Sequence, residues 1–181
     1  MKIFFIKLII AVLVNIGFSG IVKSQVVWNV STTEQINEAL LNASDGDTIK
    51  IANGIYKPSG VGRDATFNVT KAIVLSGGWY NNFTECDPAN YKTRLWGDLN
   101  DNDVYDSDGF VTSGNDENAY NVVTWNVSSN EKGYIKGLTI SNGKGGSIGA
   151  GLYLLSDFFN NYVKVLKIVC YANIFIFKRS K

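Results

Sequence analysis

Residues 33–56 read TEQINEALLNASDGDTIKIANGIY, and the hydrophobic period changes once within them. Ile36, Ala39, Leu40 and Ala43 fall at the i, i+3, i+4, i+7 positions of a helix with one apolar stripe. Ser31 with Glu34, or Thr32 with Gln35, has the spacing of a capping box, in which a hydroxyl and a longer polar side chain satisfy orphan amides at a helix start. The spacing predicts a helix over 33–43. Ser44-Asp45-Gly46-Asp47 then predicts a turn, since glycine accepts the left-handed backbone that turns use. From Thr48 the period becomes two: Thr48, Ile49, Lys50 and Ile51 alternate polar and apolar, as in a half-buried strand. Asn53-Gly54 interrupts it, and Ile55-Tyr56 forms a second short strand.

Apolar pairs of this kind recur at Phe67/Val69, Ile73/Leu75, Leu95, Val122/Val123 and Leu138/Ile140. The successive intervals Ile49–Ile73, Ile73–Leu95, Leu95–Val122 and Val122–Leu138 are 24, 22, 27 and 16 residues, with Gly, Asn and Asp clusters between. Short strands at near-regular spacing predict a solenoid, in which no unit buries its apolar side chains alone and stacked units share one core. A stack leaves its first end open, and the 33–43 helix is placed to cover it. The competing arrangement is an antiparallel β-sandwich with hairpins at Asn53-Gly54 and Asn142-Gly143.

The stretch at 33–56 resembles the start of right-handed parallel β-helix domains of the pectin-lyase-like superfamily, where a capping helix precedes a GDTI strand and a G-x-Y. Residues 74–80 (VLSGGWY), 95–98 (LWGD), 137–140 (GLTI) and 149–153 (GAGLY) resemble later turns of bacterial members. The resemblance covers about residues 25–154. It implies an all-β fold: a right-handed parallel β-helix with an N-terminal capping helix and an incomplete number of coils. It implies two roles. One is a secreted or cell-surface scaffold that contacts carbohydrate without a catalytic site. The other is the N-terminal part of a polysaccharide lyase or glycoside hydrolase. A non-functional truncated gene product is a third reading.

Residues 1–24 have the pattern of a secretory signal, with Lys2 and Lys7 ahead of an apolar run at 8–16 and Val22-Lys23-Ser24 at the expected cleavage site. The alternative is an N-terminal membrane anchor, but the run is shorter than the roughly 20 residues of a spanning helix. The expectation is export to the medium, the cell surface or the outer membrane, with no transmembrane span after cleavage. Residues 156–181 depart from the pattern. From Phe158 onward the chain has five basic residues, no acid and no glycine, which is read as a frameshifted tail or a final coil. Lys164 and Lys167 break its apolar run and argue against a membrane span.

Composition narrows the chemistry. The 181 residues contain no histidine, which excludes an imidazole base or ligand. Residues 25–157 hold 9 Lys+Arg and 16 Asp+Glu, a net of −7, which argues against nucleic acid as partner. A polysaccharide or cell-surface glycan is the expected partner. Residues 98–108 carry five Asp and two Asn. Asp98, Asn100, Asn102 and Asp106 fall at loop positions 1, 3, 5 and 9 and are candidate calcium ligands, because Ca²⁺ gathers six to eight oxygens. The loop is not an EF-hand, since Asp103 stands where Gly belongs and Gly109 where Glu belongs. A plain solvated loop is the other reading.

Lyases of the resembled group use a basic residue to take a proton beside a uronate carboxylate. Lys92, Arg94 and Lys71 are the residues weighed for this, and no motif selects a base among them, so no catalytic residue is assigned. Lys132 and Lys136 read as solvated charges. Trp79, Tyr80, Phe83, Tyr91 and Trp96 either stack on sugar faces or cover coil edges. Cys86 and Cys170 are 84 residues apart, without a disulfide framework around them.

Overall fold

A computed structural model describes residues 24–128, 131–145, 151–156, 164–166 and 175–178. The signal reading at 1–23, Cys170 and most of the basic tail lie outside these. In chain order the elements are β1 (Val27–Val30), α1 (Thr33–Asn42), β2 (Thr48–Ala52), β3 (Gly54–Tyr56), a 3₁₀ turn (Gly62–Asp64), β4 (Phe67–Val69) and β5 (Val74–Trp79). Then come β6 (Thr93–Trp96), β7 (Val104–Tyr105), β8 (Val111–Ser113), β9 (Val123–Val127) and β10 (Tyr134–Lys136). Last are β11 (Leu138–Ser141), β12 (Leu152–Ser156), β13 (Lys164–Leu166) and β14 (Phe175–Lys178).

The described residues are predominantly β, with one short α-helix and three all-parallel sheets stacked in register. Sheet A runs β1-β2-β5-β10-β13, sheet B runs β3-β6-β11, and sheet C runs β4-β9-β12-β14. The strands from β2 to β12, apart from β7 and β8, visit A, B, C in that order three times. Among the described residues, antiparallel pairing is confined to the β7–β8 hairpin and the Trp79–Cys86 bridge. The sandwich alternative is therefore not what forms. Asn53-Gly54 links β2 to β3 in different sheets rather than closing a hairpin.

The repeat intervals need correction. Register neighbours in sheet A are Ile49, Leu75 and Ile135, which are 26 and 60 residues apart. Leu95 belongs to sheet B beside Tyr56 and Ile140, and Val123 to sheet C beside Phe67 and Leu152. The sequence intervals compared strands from different sheets. The loop between β6 and β9 stretches the second passage and carries the β7–β8 hairpin.

Helix α1 follows its sequence signals. Thr32 caps it, its Oγ1 accepting from the Gln35 amide at 3.2 Å, while Gln35 Oε1 accepts from the Ser31 amide at 2.8 Å. Of the two capping pairs, Thr32 with Gln35 forms, and the return bond goes one residue further back. Ile36, Ala39, Leu40 and the C-cap Ala43 are buried in the main core with Val30, Ile49, Phe67 and Val69. Thr33 Oγ1 donates to Lys57 O at 3.2 Å, just past β3. The helix thus lies against the first-visited strands.

Asp47 closes the turn after the helix. Its Oδ2 accepts from the Ser44 amide and its Oδ1 from the Val26 amide, both at 2.9 Å. One buried carboxylate therefore ties β1 to the start of β2. Inside, Ile49, Leu75, Leu95, Ile135, Ile140, Val123 and Leu152 are each at most 1% exposed. At the corner between β10 and β11, Gly137 takes φ +66°, and a Cβ there would meet Gly77 O at 2.7 Å. Only glycine combines that backbone with so close an approach.

Candidate functional site

Strand alternation builds the site. In β6, Thr93 and Leu95 are buried, so Arg94 and Trp96 face outward; in β11, Ile140 is in the core, so alternation turns Thr139 and Ser141 to the other face, where Thr139 is half-buried and Ser141 is buried. In register, Arg94 sits beside Thr139 and Trp96 beside Ser141. These four side chains line the floor of a cleft of about 960 Å³ on the outer face of sheet B. One wall carries Pro88, Ala89 and Lys92, with Lys136 at the corner. The other carries Tyr105 and Phe110 from the β7–β8 hairpin, with Asn118, Asn142 and Lys144.

The hairpin wall is seated by polar contacts. Asp103 accepts from Asn118 Nδ2 at 3.1 and 3.0 Å and from Asn142 Nδ2 at 2.5 Å. Asn142 Nδ2 also donates to the Tyr105 hydroxyl. Burial raises the Tyr105 phenol above its ordinary pKa, opposed by that bond from Asn142. Arg63 pins the segments behind this wall: Nε donates to Asn118 O at 2.8 Å and Nη2 to Lys144 O at 2.7 Å. Its guanidinium lies 4.1 Å from the Tyr120 ring centroid, a cation–π distance.

Among the described residues four basic side chains, Lys92, Arg94, Lys136 and Lys144, line the cleft, and no carboxylate does. Lys144 pairs with Asp116 at 2.6 Å and donates to Asn115 Oδ1 at 2.8 Å. Among the described residues no salt bridge engages the other three. Lys92, Arg94 and Lys136 can meet an anion there, while Asp116 offsets Lys144 and Asp103 lies against the wall of Asn118 and Asn142. With Trp96, Tyr105 and Phe110 beside the cations, the lining suits a ligand with apolar ring faces and negative groups.

The sequence-derived candidates divide. Lys92, Arg94 and Trp96 come together in the cleft. Lys136, read from sequence as a solvated charge, is exposed and also forms its corner, whereas Lys71 and Lys132 are exposed away from it. Trp79 lies under Lys50, whose Nζ is 3.9 Å from the ring centroid, and Tyr80 packs on Tyr91 at 5.1 Å. Cys86 is an exposed free thiol. Tyr105, Phe110, Asn118 and Ser141 were not singled out from sequence, and Asn142 was named only as a turn residue. Their signal lay only in the alternation of β11 and in two apolar pairs, Val104-Tyr105 within the acidic run and Phe110-Val111 just after it.

The proposed calcium ligands have local roles. Asp98 is buried, its two oxygens accepting from the Asn102 and Asp103 amides at 3.2 and 3.1 Å. Asp106 Oδ1 accepts from the Asp108 and Phe110 amides at 3.0 and 2.8 Å, fixing the hairpin turn. With its amide turned so that the nitrogen faces acceptors, Asn102 donates to Glu117 Oε1 at 2.6 Å and Gly114 O at 2.7 Å. Asn100 is exposed. Among the described residues no group of three or more acidic or cysteine side chains is placed to hold a metal ion.

No protein-family model, curated protein or solved structure matches the chain. Function therefore rests on the geometry of the site.

Proposed function

We propose that the chain is an exported right-handed parallel β-helix module of the pectin-lyase-like type, and that it binds an acidic polysaccharide in the sheet B cleft without cleaving it. Three observations support the winding: the recurrent A, B, C order of strands, their parallel register, and α1 packed against the first strands. The carbohydrate role is carried by one observation, the lining of the cleft. Lys92, Arg94 and Lys136, with Lys144 held by Asp116, line the cleft beside an outward-facing Trp96, and among the described residues no carboxylate is in the lining. A uronate polymer offers what that lining complements: ring faces for the indole and a carboxylate on each sugar for the basic side chains. The volume falls within the roughly 300–1,000 Å³ of small-molecule sites.

The test is retardation in native gels containing polygalacturonate, alginate or neutral dextran. The acidic polymers retard the protein and dextran does not. Arg94→Ala and Trp96→Ala each weaken retardation while leaving the melting temperature within a few degrees. Equal retardation by dextran, or none by either acid polymer, overturns the reading.

The meeting of Lys92 and Arg94 in the cleft favours a second reading, a polysaccharide lyase. Its signature is new absorbance from carbon–carbon double bonds when the protein is incubated with uronate polymers, lost in Lys92→Ala or Arg94→Ala.

A further inference from the structure

The sequence holds two Asn-Gly pairs, Asn53-Gly54 and Asn142-Gly143, and the fold treats their peptide nitrogens differently. The Gly54 amide donates to Lys92 O at 3.0 Å, beside β6. The Gly143 amide donates to no acceptor among the described residues. Gly97 packs against the 142–143 peptide, and its missing Cβ leaves that nitrogen uncovered: a Cβ there would meet Gly143 N at 2.7 Å. This matters because asparagine followed by glycine is chemically labile. Glycine has no side chain to hinder its nitrogen, which can close a five-membered ring on the asparagine Cγ.

Asn142 stands where such a change has consequences. It is half-buried and lines the cleft. Its Nδ2 donates to Asp103 Oδ2 at 2.5 Å and to the Tyr105 hydroxyl, so it holds the hairpin wall in place. An ionised carboxylate only accepts hydrogen bonds, so Asp103 needs a nitrogen donor opposite it.

We propose that Asn142 is a deamidation site whose conversion places a carboxylate in the cleft and weakens its hold on acidic polymers. This rests on the acidic-polysaccharide reading of the same cleft. The Gly143 nitrogen gives its proton to base and bonds to Asn142 Cγ. The Cγ–Nδ2 bond breaks, and Nδ2 takes up a proton and leaves as ammonia. Water then opens the cyclic imide at either carbonyl, giving aspartate or its β-linked isomer. The sum is amide plus water to acid plus ammonia, with nothing oxidised or reduced. Either product replaces the donor that Asp103 requires with a carboxyl group, and neighbouring carboxylates disfavour each other's charge. The hairpin wall loses its seat, and the new charge opposes the anion that Lys92, Arg94 and Lys136 attract.

The experiment incubates the folded full chain in warm, mildly alkaline buffer and follows two tryptic peptides by mass spectrometry, residues 137–144 with Asn142 and residues 51–63 with Asn53. Peptide 137–144 gains the mass of an amide-to-acid conversion while peptide 51–63 lags. In urea both convert, so the difference belongs to the fold. Gly143→Ala slows the conversion of Asn142. Anion exchange then separates converted from unconverted protein, and native gels containing polygalacturonate compare them. The converted form and Asn142→Asp each bind at least about tenfold more weakly, as expected of a charge of the ligand's own sign in its site. Asn142→Ala also loses the bonds to Asp103 and Tyr105 but adds no charge, and it binds more tightly than Asn142→Asp. An Asn142 that stays intact in the folded chain, or converts no faster than Asn53, overturns the inference. So does retardation unchanged by conversion or by Asn142→Asp; in each case the acidic-polysaccharide reading stands. Equal losses in Asn142→Ala and Asn142→Asp assign Asn142 a structural role and also overturn the inference. Absence of retardation in fresh wild type overturns both.

Discussion

Leu75 sits between Ile49 and Ile135 in sheet A, with all three at most 1% exposed. Leu75→Ala removes three carbons, which at about 0.8 kcal/mol per methylene gives about 2.4 kcal/mol of lost transfer free energy. The flanking strands are hydrogen-bonded on both sides and cannot collapse into the space, so a cavity contribution raises the expected loss to about 3–5 kcal/mol. The stacked register makes a sharper statement through coupling. Ile49→Val alone costs about 1 kcal/mol. Combined with Leu75→Ala it departs from additivity by at least about 0.5 kcal/mol, because the two side chains touch across one strand spacing. Ile49→Val combined with Leu152→Ala is additive within about 0.5 kcal/mol, since those residues lie on different sheets and about two strand spacings, roughly 9.6 Å, apart. Urea unfolding of the three single and two double variants measures both quantities. A Leu75→Ala loss under about 1 kcal/mol, or an additive Ile49/Leu75 pair, refutes the register.

Three further outcomes follow from particular contacts. A Cβ at Gly97 would meet Asn142 O at 2.4 Å and Gly143 N at 2.7 Å, both backbone, so Gly97→Ala costs about 1–3 kcal/mol and weakens acidic-glycan binding by parting β6 from the 142–144 wall. Thermal melts and gel retardation read the two effects. Asn68 and Thr124 are register partners on β4 and β9, about 4.8 Å apart by strand spacing. Asn68→Cys with Thr124→Cys, in a background with Cys86 and Cys170 changed to Ser, therefore closes a disulfide under mild oxidation, seen as a gel shift; failure to close argues against the parallel register. The Asp116 carboxyl is held below its ordinary value of 3.8, first by the hydrogen bond from Lys144 and then by its charge. Its contribution is whole above that value and lost as pH falls through the depressed one, so wild type and Asp116→Asn differ in melting temperature at neutral pH and converge in acid.

The front of the fold was legible in the sequence because its signals are local. A cap at Thr32, a stripe at Ile36, Ala39 and Leu40, and the change of period at Thr48 each need only a few neighbouring residues. The buried Asp47 explains why the turn reads Gly-Asp before the strand. The repeat length was not legible, since Leu95 and Val123 look like successive rungs along the chain and belong to different sheets. The hairpin was hidden for a related reason: Val104, Tyr105 and Val111 are embedded in an Asp- and Asn-rich run whose charge dominated its reading. The cleft is least local of all. Arg94, Tyr105, Asn118 and Ser141 come from four segments that only the stacking brings together, so sequence singled out Lys92, Arg94 and Trp96 without showing what they face.

The chain has four tryptophans, at 28, 79, 96 and 125, and one of them lines the cleft. An NMR titration with a polygalacturonate oligosaccharide therefore locates binding directly through the four indole N–H signals. The Trp96 signal shifts and saturates with the binding curve, while those of Trp28, Trp79 and Trp125 stay in place. A stationary Trp96 signal alongside movement at Trp79, or binding with no indole shift at all, contradicts the assignment of the site.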